Sequence, residues 1–144
     1  MIEFFDGEYA FLSNFYECPV TYNGLTYLNS EAAFHAQKTL DNNKRKEFTT
    51  LSPSASKKLG RKIILRSDWE EVKTKIMYEI CYAKFTQNED LKAKLLATGD
   101  EYLEEGTWWH DSFWGVCYCE HCNGVGENRL GTILMKIREE LKND

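Results

Sequence analysis

Val20-Thr21-Tyr22-Asn23-Gly24-Leu25-Thr26-Tyr27 is a hairpin spelled out in consecutive residues. Two β-prone triplets flank Asn-Gly, whose residues both tolerate positive φ, so the spacing predicts two antiparallel strands joined by a two-residue turn. Upstream, Ile2-Glu3-Phe4-Phe5 reads as a further short strand. Phe11-Leu12-Ser13-Asn14-Phe15 reads as a short segment around a turn, with Ser and Asn side chains that bond locally or to a ligand. Residues 1–28 therefore predict a small N-terminal sheet.

Beyond the hairpin the pattern becomes helical. Ser30 stands where an N-cap belongs and residues 31–40 are good helix formers, which puts Glu31 in a first helical turn, where the helix dipole favours a carboxylate. A second helix is expected over residues 44–51, and a third from Ser52-Pro53 to about Gly60, with serine as cap and proline at the first position. Asp68 is expected to cap the longest helix, residues 69–87, along which Val72, Ile76, Ile80 and Ala83 form one apolar stripe widened by Met77 and Tyr78. Asn88 opens a helix over residues 89–97 that Thr98-Gly99-Asp100 stops. The last helix, residues 128–141, carries Leu130, Leu134, Ile137 and Leu141 on one stripe. A strand at residues 101–103 would join the small sheet. The expected class is α+β: a single compact, mainly helical domain over residues 1–144 with a small N-terminal β-sheet.

Composition narrows the function. A length of 144 residues suits one domain, and no apolar run approaches the roughly 20 residues that a membrane span requires. A formal charge of −5 argues against affinity built on broad phosphate neutralisation, although Lys44-Arg45-Lys46 and Lys57-Lys58 with Arg61-Lys62 could line a local cleft or simply solvate helix faces. The N-terminus lacks the basic start and apolar stretch of a secretory signal, and three of the five cysteines cluster near the C-terminus, so a reducing cytoplasm is the expected compartment.

Residues 105–115, Glu-Gly-Thr-Trp-Trp-His-Asp-Ser-Phe-Trp-Gly, hold three of the four tryptophans together with Glu105, His110 and Asp111. Such a loop serves either as flat walls for a flat ligand with Asp111 oriented among them, or as an aromatic core cluster with Asp111 capping a turn. Next come Cys117, Cys119, His121 and Cys122, where the three thiols with His121 or His110 could supply four ligands. The pattern lacks a second well-spaced pair, and adjacent His121 and Cys122 do not readily both point inward. No metal and no cofactor are therefore assigned. Gly124-x-Gly126 ahead of the Asn128 helix has the form of a phosphate-cradling loop. Glu31, Glu105 and Asp111 are the carboxylates available for hydrolysing a glycosidic bond.

The chain resembles the NADAR superfamily, which includes the YbiA-like N-glycosidases. The resemblance spans nearly the whole sequence in ordered blocks: Phe11 to Phe15; Tyr22 to Tyr27 with Ser30-Glu31 to Lys38; Gly60-Arg61; Trp69 with Lys73 and Met77; Lys84-Phe85; Leu95 to Gly99; Glu105; Asp111-Ser-Phe-Trp114-Gly115; and Gly126-Glu-Asn128-Arg-Leu130-Gly131. It implies a mainly helical α+β fold and a pocket for ADP-ribose-like or ribosyl ligands. It also implies metal-independent cleavage of an N-glycosidic bond, in early riboflavin-pathway intermediates or in ADP-ribose attached to guanine. By position Glu31 resembles the family's catalytic glutamate, Asp111 and Trp114 its Asp-x-x-Trp-Gly residues, and Trp69 its second aromatic. The catalytic candidates are Glu31 and Asp111; the substrate-binding candidates are Asn14, Lys38, Trp69, Glu105, Trp114, Gly115, Gly126 and Asn128. The sequence departs from the family's Ser-Glu-His-Tyr-Phe-Gln block through Ala32, Ala33 and His35, which bears on substrate choice. The expected partner is an ADP-ribose-containing or ribosylated small molecule or nucleobase, ADP-ribosylated DNA included, and no membrane. The alternatives are a non-catalytic ADP-ribose or nucleotide sensor and a small metal-dependent module built on the cysteines.

Overall fold

Asn23 and Gly24 adopt φ of 50° and 82° in the computed structural model, which describes residues 1–143, and the hairpin closes as the sequence predicts. β1 (Glu17–Tyr22) and β2 (Leu25–Asn29) pair antiparallel with Tyr22 opposite Leu25 and Val20 opposite Tyr27, and the register is irregular between Glu17 and Val20. Side chains alternate with the period of two that a half-buried strand requires. Cys18, Val20, Tyr27 and Asn29 are buried, while the exposed Thr21 and Thr26 join their hydroxyls at 2.7 Å.

The chain divides into two compact units: residues 14–91, and residues 1–13 together with 92–144. In the first, the hairpin is followed by α1 (Ser30–Ala36), α2 (Asn42–Lys46), α3 (Pro53–Gly60) and α4 (Trp69–Gln87). The cap of α1 is Asn29 rather than Ser30: its Oδ1 accepts the Ala32 N–H at 2.7 Å, and Ser30 becomes the first helical residue. α1 also stops at Ala36, short of the expected residue 40, because the backbone beyond it turns away and the Lys38 carbonyl accepts the Arg66 N–H at 2.8 Å. α2 starts earlier than expected, since Asp41 caps it through the Asn43 N–H at 2.9 Å, and residues 47–50 form turns.

α3 begins as predicted, with the Ser52 hydroxyl accepting the Ala55 N–H and Pro53 at the first position. α4 covers the expected residues, but Asp68 does not cap it. Its carboxylate instead takes the Arg66 Nε at 2.6 Å. The buried face of α4 contains Ile76, Met77 and Ile80 from the predicted stripe and adds Cys81, Lys84 and Phe85, whereas Val72, Tyr78 and Ala83 are only half-buried. α4 packs on β1, and α1 lies against the hairpin, α3 and α4. α5 (Glu89–Ala97) starts in this unit and ends in the other.

In the second unit, residues 7–12 form a 3-10 helix that buries Phe11 and Leu12, where the sequence suggests a short segment around a turn. The expected partnership of residues 101–103 with the N-terminus takes the form of one parallel bridge, Ile2 to Leu103, flanked by hydrogen bonds from Ile2 N to Tyr102 O and from Glu104 N to Ile2 O. Two short strands that carry no sequence signal, β3 (Gly106–Thr107) and β4 (Val116–Cys117), pair in parallel and close the aromatic loop between them. α6 (Arg129–Lys142) buries Leu130, Leu134, Ile137 and Leu141, the predicted stripe, together with Ile133 beside it, and each side chain of that size contributes about 1.5 to 3 kcal/mol on burial. Buried Arg138 donates to the Thr98 hydroxyl at 2.9 Å. Among the described residues no helix is long and apolar enough to cross a membrane.

Candidate active site

Glu31 sits in the first turn of α1, and three neighbours fix that turn. The Asn29 side chain caps it, the Glu31 N–H donates to the Asn14 carbonyl at 3.1 Å, and the Ser30 hydroxyl donates to Asn14 Oδ1 at 2.9 Å. The Asn14 amide spends its other atoms within the protein too, with Nδ2 on the Met77 sulfur at 3.4 Å and Oδ1 near the Cys81 thiol. Asn14 thus positions the helix start from which Glu31 projects.

One turn later, His35 Nε2 lies 2.9 Å from Glu31 Oε1, and the two side chains retain only 9% and 14% of their exposure. His35 Nδ1 is buried and has no hydrogen-bond partner among the described residues, so in the neutral ring the proton belongs on Nε2, which donates it to the carboxylate. The glycine at position 60 makes room for this ring, because a Cβ there would lie 2.4 Å from His35 Nδ1. The sequence reading took His35 only as a departure from the family pattern. Its i+4 spacing from Glu31 was the signal that marks it as a partner.

Lys38, half-buried, adds a cation. Burial lowers its pKa, the nearby Glu31 carboxylate raises it and Arg61 lowers it, so Glu31, Lys38 and Arg61 share one electrostatic neighbourhood. Trp69, buried at the start of α4, meets Phe34 with ring centroids 5.1 Å apart, and Phe34 in turn sets its edge against His35 at 5.6 Å. Of the candidates, Asn14, Glu31, Lys38 and Trp69 therefore fall in the unit of residues 14–91 and are linked there through the start of α1.

The remaining candidates lie in the other unit. Asp111 Oδ1 accepts the N–H groups of Phe113 at 3.2 Å and Trp114 at 3.0 Å, the turn-capping geometry that was the alternative to a ligand-facing carboxylate. Its second oxygen is what remains for chemistry. The tryptophans do not form one wall: Trp108 and Trp109 are 60% and 56% exposed, Trp108 stacks parallel on Phe4 at 6.0 Å, and half-buried Trp114 stands edge-on to Phe113 at 4.8 Å. Arg129 covers the Phe113 ring at 4.4 Å.

At residues 124–128, where a phosphate cradle is expected, most of the donors are used within the loop itself. Gly124, Glu127 and Asn128 N–H groups bond to the carbonyls of Cys117, Ser112 and Gly115, and the first two N–H groups of α6, from Arg129 and Leu130, bond to Phe113 and Trp114. Gly115 and Gly126 serve this close backbone approach: a Cβ on Gly126 would lie 2.2 Å from the Gly115 carbonyl oxygen, and one on Gly115 2.3 Å from that of Glu105. Asn128, buried at φ 49°, accepts the half-buried Glu105's N–H at 3.0 Å and donates to the Leu103 carbonyl and the Tyr102 hydroxyl. Beside this loop Tyr118 hydrogen-bonds Glu104, which pushes its pKa up to about 12.

The three clustered thiols meet His110 and not His121. Burial raises the Cys117 thiol, but hydrogen bonds from the Cys119 backbone, the Cys122 and Cys119 thiols and the His110 backbone outweigh it and bring it down to about 6. Cys122, hydrogen-bonded to Cys117, is pushed up to about 12.

Half-buried Glu31, held by an imidazole, thus stands at the head of a short helix on a mainly helical α+β framework. The chain belongs to the NADAR family, whose domain model matches residues 3–142. It is similar to the N-glycosidase YbiA of Escherichia coli (strain K12), with 40% identity over 137 residues, 93% of this chain and 82% of that one. A riboflavin biosynthesis protein of Vibrio vulnificus is 37% identical over 140 residues, covering 95% of this chain and 37% of the larger relative. The solution NMR structure of the Escherichia coli protein YbiA matches with a TM-score of 0.81 at 38% identity, over 99% of this chain and 88% of that one, which bears out the expected fold class.

Proposed function

We propose that this protein is an N-glycosidase that hydrolyses the bond between C1 of a ribosyl group and a nitrogen. The substrate is ADP-ribose on guanine, as a nucleobase or in DNA, or a ribosylated intermediate of riboflavin synthesis. The observation that carries this reading is the Glu31 carboxylate, anchored at its backbone by Asn14 and oriented at 2.9 Å by His35. The names of the N-glycosidase and riboflavin-biosynthesis relatives support it.

In the reaction the C1–N bond breaks with its electron pair leaving on nitrogen, which takes up a proton. Positive charge develops at C1 and the ring oxygen, and water then adds to C1 and loses a proton. Glu31 faces the developing charge and receives that proton. A carboxylate fixed in advance stabilises such charge without reorganising, which is where enzymes gain most. His35 acts as a positioning residue, since its Nε2–H fixes one carboxylate oxygen and leaves the other for C1 or water. Lys38, an ammonium in the same neighbourhood, suits a phosphate or ribose oxygen. Asp111 and Trp114 carry ligand roles by family resemblance. None of these steps calls for a metal. The protein works in a reducing cytoplasm, a setting supported by its five cysteines, which form no disulfide among the described residues.

The test is a panel of ADP-ribosyl-guanine and ribosylaminopyrimidine substrates followed by mass spectrometry of the products, with wild type and Glu31→Gln side by side. Release of free base and ribosyl product by wild type alone is expected. A wild type that binds ADP-ribose yet releases no product from any substrate makes the protein a sensor.

A further inference from the structure

We propose that His110, Cys117, Cys119 and Cys122 form a structural zinc site that ties down the aromatic loop. The inference is independent of the glycosidase reading.

The four ligand atoms lie within 4.8 Å of one another, and His110 Nδ1 is 3.4 Å from both the Cys119 and the Cys122 sulfur. A tetrahedral zinc ion with Zn–S near 2.3 Å and Zn–N near 2.0 Å places its sulfurs about 3.8 Å apart and each about 3.6 Å from the nitrogen, so the cluster needs shifts of only about 1 Å to close on the ion. Hydrogen bonding is a poor rival explanation for the gathering. A thiol is a weak donor and a weak acceptor, and the Cys119 and Cys122 thiols converge on the same ring nitrogen, which can serve only one of them well. A disulfide would use two of the sulfurs and leave the third thiol and the imidazole unexplained.

The backbone is shaped for the same end. His110 sits at φ 67°, a left-handed conformation that non-glycine residues adopt uncommonly and that turns its ring toward the thiols. After Cys122 the chain reverses through Asn123 at φ 52° and Gly124 at φ 80°. The reversal is pinned by hydrogen bonds from Asn123 N to Cys119 O, Gly124 N to Cys117 O, Val125 N to Cys122 O and Cys117 N to Val125 O, at 2.8 to 3.2 Å. Cys119 and Cys122 are thus presented together from a tight turn, with Cys117 on β4 beneath them. The fourth ligand comes from across the loop.

The missing second pair that left the sequence pattern incomplete is supplied by His110 and Cys117, seven positions apart. Four protein ligands leave no open position for water, so the ion is structural and takes no part in hydrolysis. Binding releases the thiol protons, and no electron moves. The mechanical effect falls on residues 111–116, which lie between the first ligand and the second and include Asp111, Trp114 and Gly115.

The experiment is elemental analysis of the full chain purified under reducing conditions from zinc-supplemented cultures, alongside His110→Ala, Cys119→Ser, Cys122→Ser and His121→Ala. The expected result is about one zinc per chain in wild type and in His121→Ala, and at least a tenfold loss in the other three. Reloading stripped wild type with Co²⁺ should produce thiolate-to-cobalt charge-transfer bands and tetrahedral d–d bands. Wild type as isolated answers the question even where a variant or the stripped protein fails to fold. Wild type with under a tenth of an equivalent of zinc and no thiolate–cobalt bands overturns the proposal, as does iron in place of zinc or loss of the metal in His121→Ala.

Discussion

The head of α1 and the loop between β3 and β4 both present a carboxylate close to the start of a helix or turn, and they spend it differently. At α1 an asparagine side chain and a distant carbonyl meet the needs of the backbone, so Glu31 is relieved of capping and aims at His35. In the aromatic loop the carboxylate is itself the cap: Asp111 Oδ1 holds the N–H groups of Phe113 and Trp114, and the N–H groups at the start of α6 are taken by the carbonyls of those same two residues. A carboxylate available for chemistry is one whose structural duty has been given to a neighbour. That division favours Glu31 over Asp111 in the proposed reaction.

The sharpest way to break this ranking is Glu31→Gln. It keeps the side chain's size and removes its charge, and it should slow turnover at least about a hundredfold, roughly 2.7 kcal/mol, while the melting temperature stays within a few degrees. Steady-state rates within threefold of wild type would transfer the role to Asp111. Next in size is Asn128→Ala, which strips partners from the Glu105 N–H, the Leu103 carbonyl and the Tyr102 hydroxyl. Urea unfolding should show a loss of about 2 to 4 kcal/mol, and an unchanged midpoint would mean that Asn128 does not clamp this unit.

Trp114→Ala sharpens the comparison from the ligand side. If the loop binds a base, calorimetry with ADP-ribose should show a loss of about 1 to 3 kcal/mol with the fold retained. Normal affinity with lowered thermal stability would make Trp114 purely structural. The smallest effect is expected at Asn29→Ala, where losing the cap of α1 costs about 1 to 2 kcal/mol in denaturant. Turnover there should fall by less than in Glu31→Gln, and an equal fall would show that cap and carboxylate act as one unit.

The sequence exposed those features that rest on local chemistry. Asn23-Gly24 announced its turn, Ser52-Pro53 its helix start, and the leucine stripe its C-terminal helix, because each is decided within a few residues. Glu31 was legible as a first-turn carboxylate for the same reason. What stayed hidden depends on partners far along the chain. Asn29 displaced Ser30 as the cap because Ser30 is drawn to Asn14, sixteen positions away. Asp68 gave up its cap to Arg66. The two-residue strands β3 and β4 are too short to carry an alternation pattern and exist only because the loop between them closes. The inward use of most donors at residues 124–128 was hidden for a related reason, since spacing of glycines says nothing about which carbonyls come to meet their neighbours.

The absence of a side chain at position 60 has a consequence for how variants of this protein will combine. The His35 ring occupies the space that a Cβ on Gly60 would need, so the two positions share one volume and their substitutions cannot be additive. Alanine at 60 forces the His35 side chain to shift, and the crowding eases once that ring is trimmed. Any path that alters the partner of Glu31 therefore opens position 60 to side chains that were closed to it before. A library that varies one of the two alone will miss the chains in which both have changed.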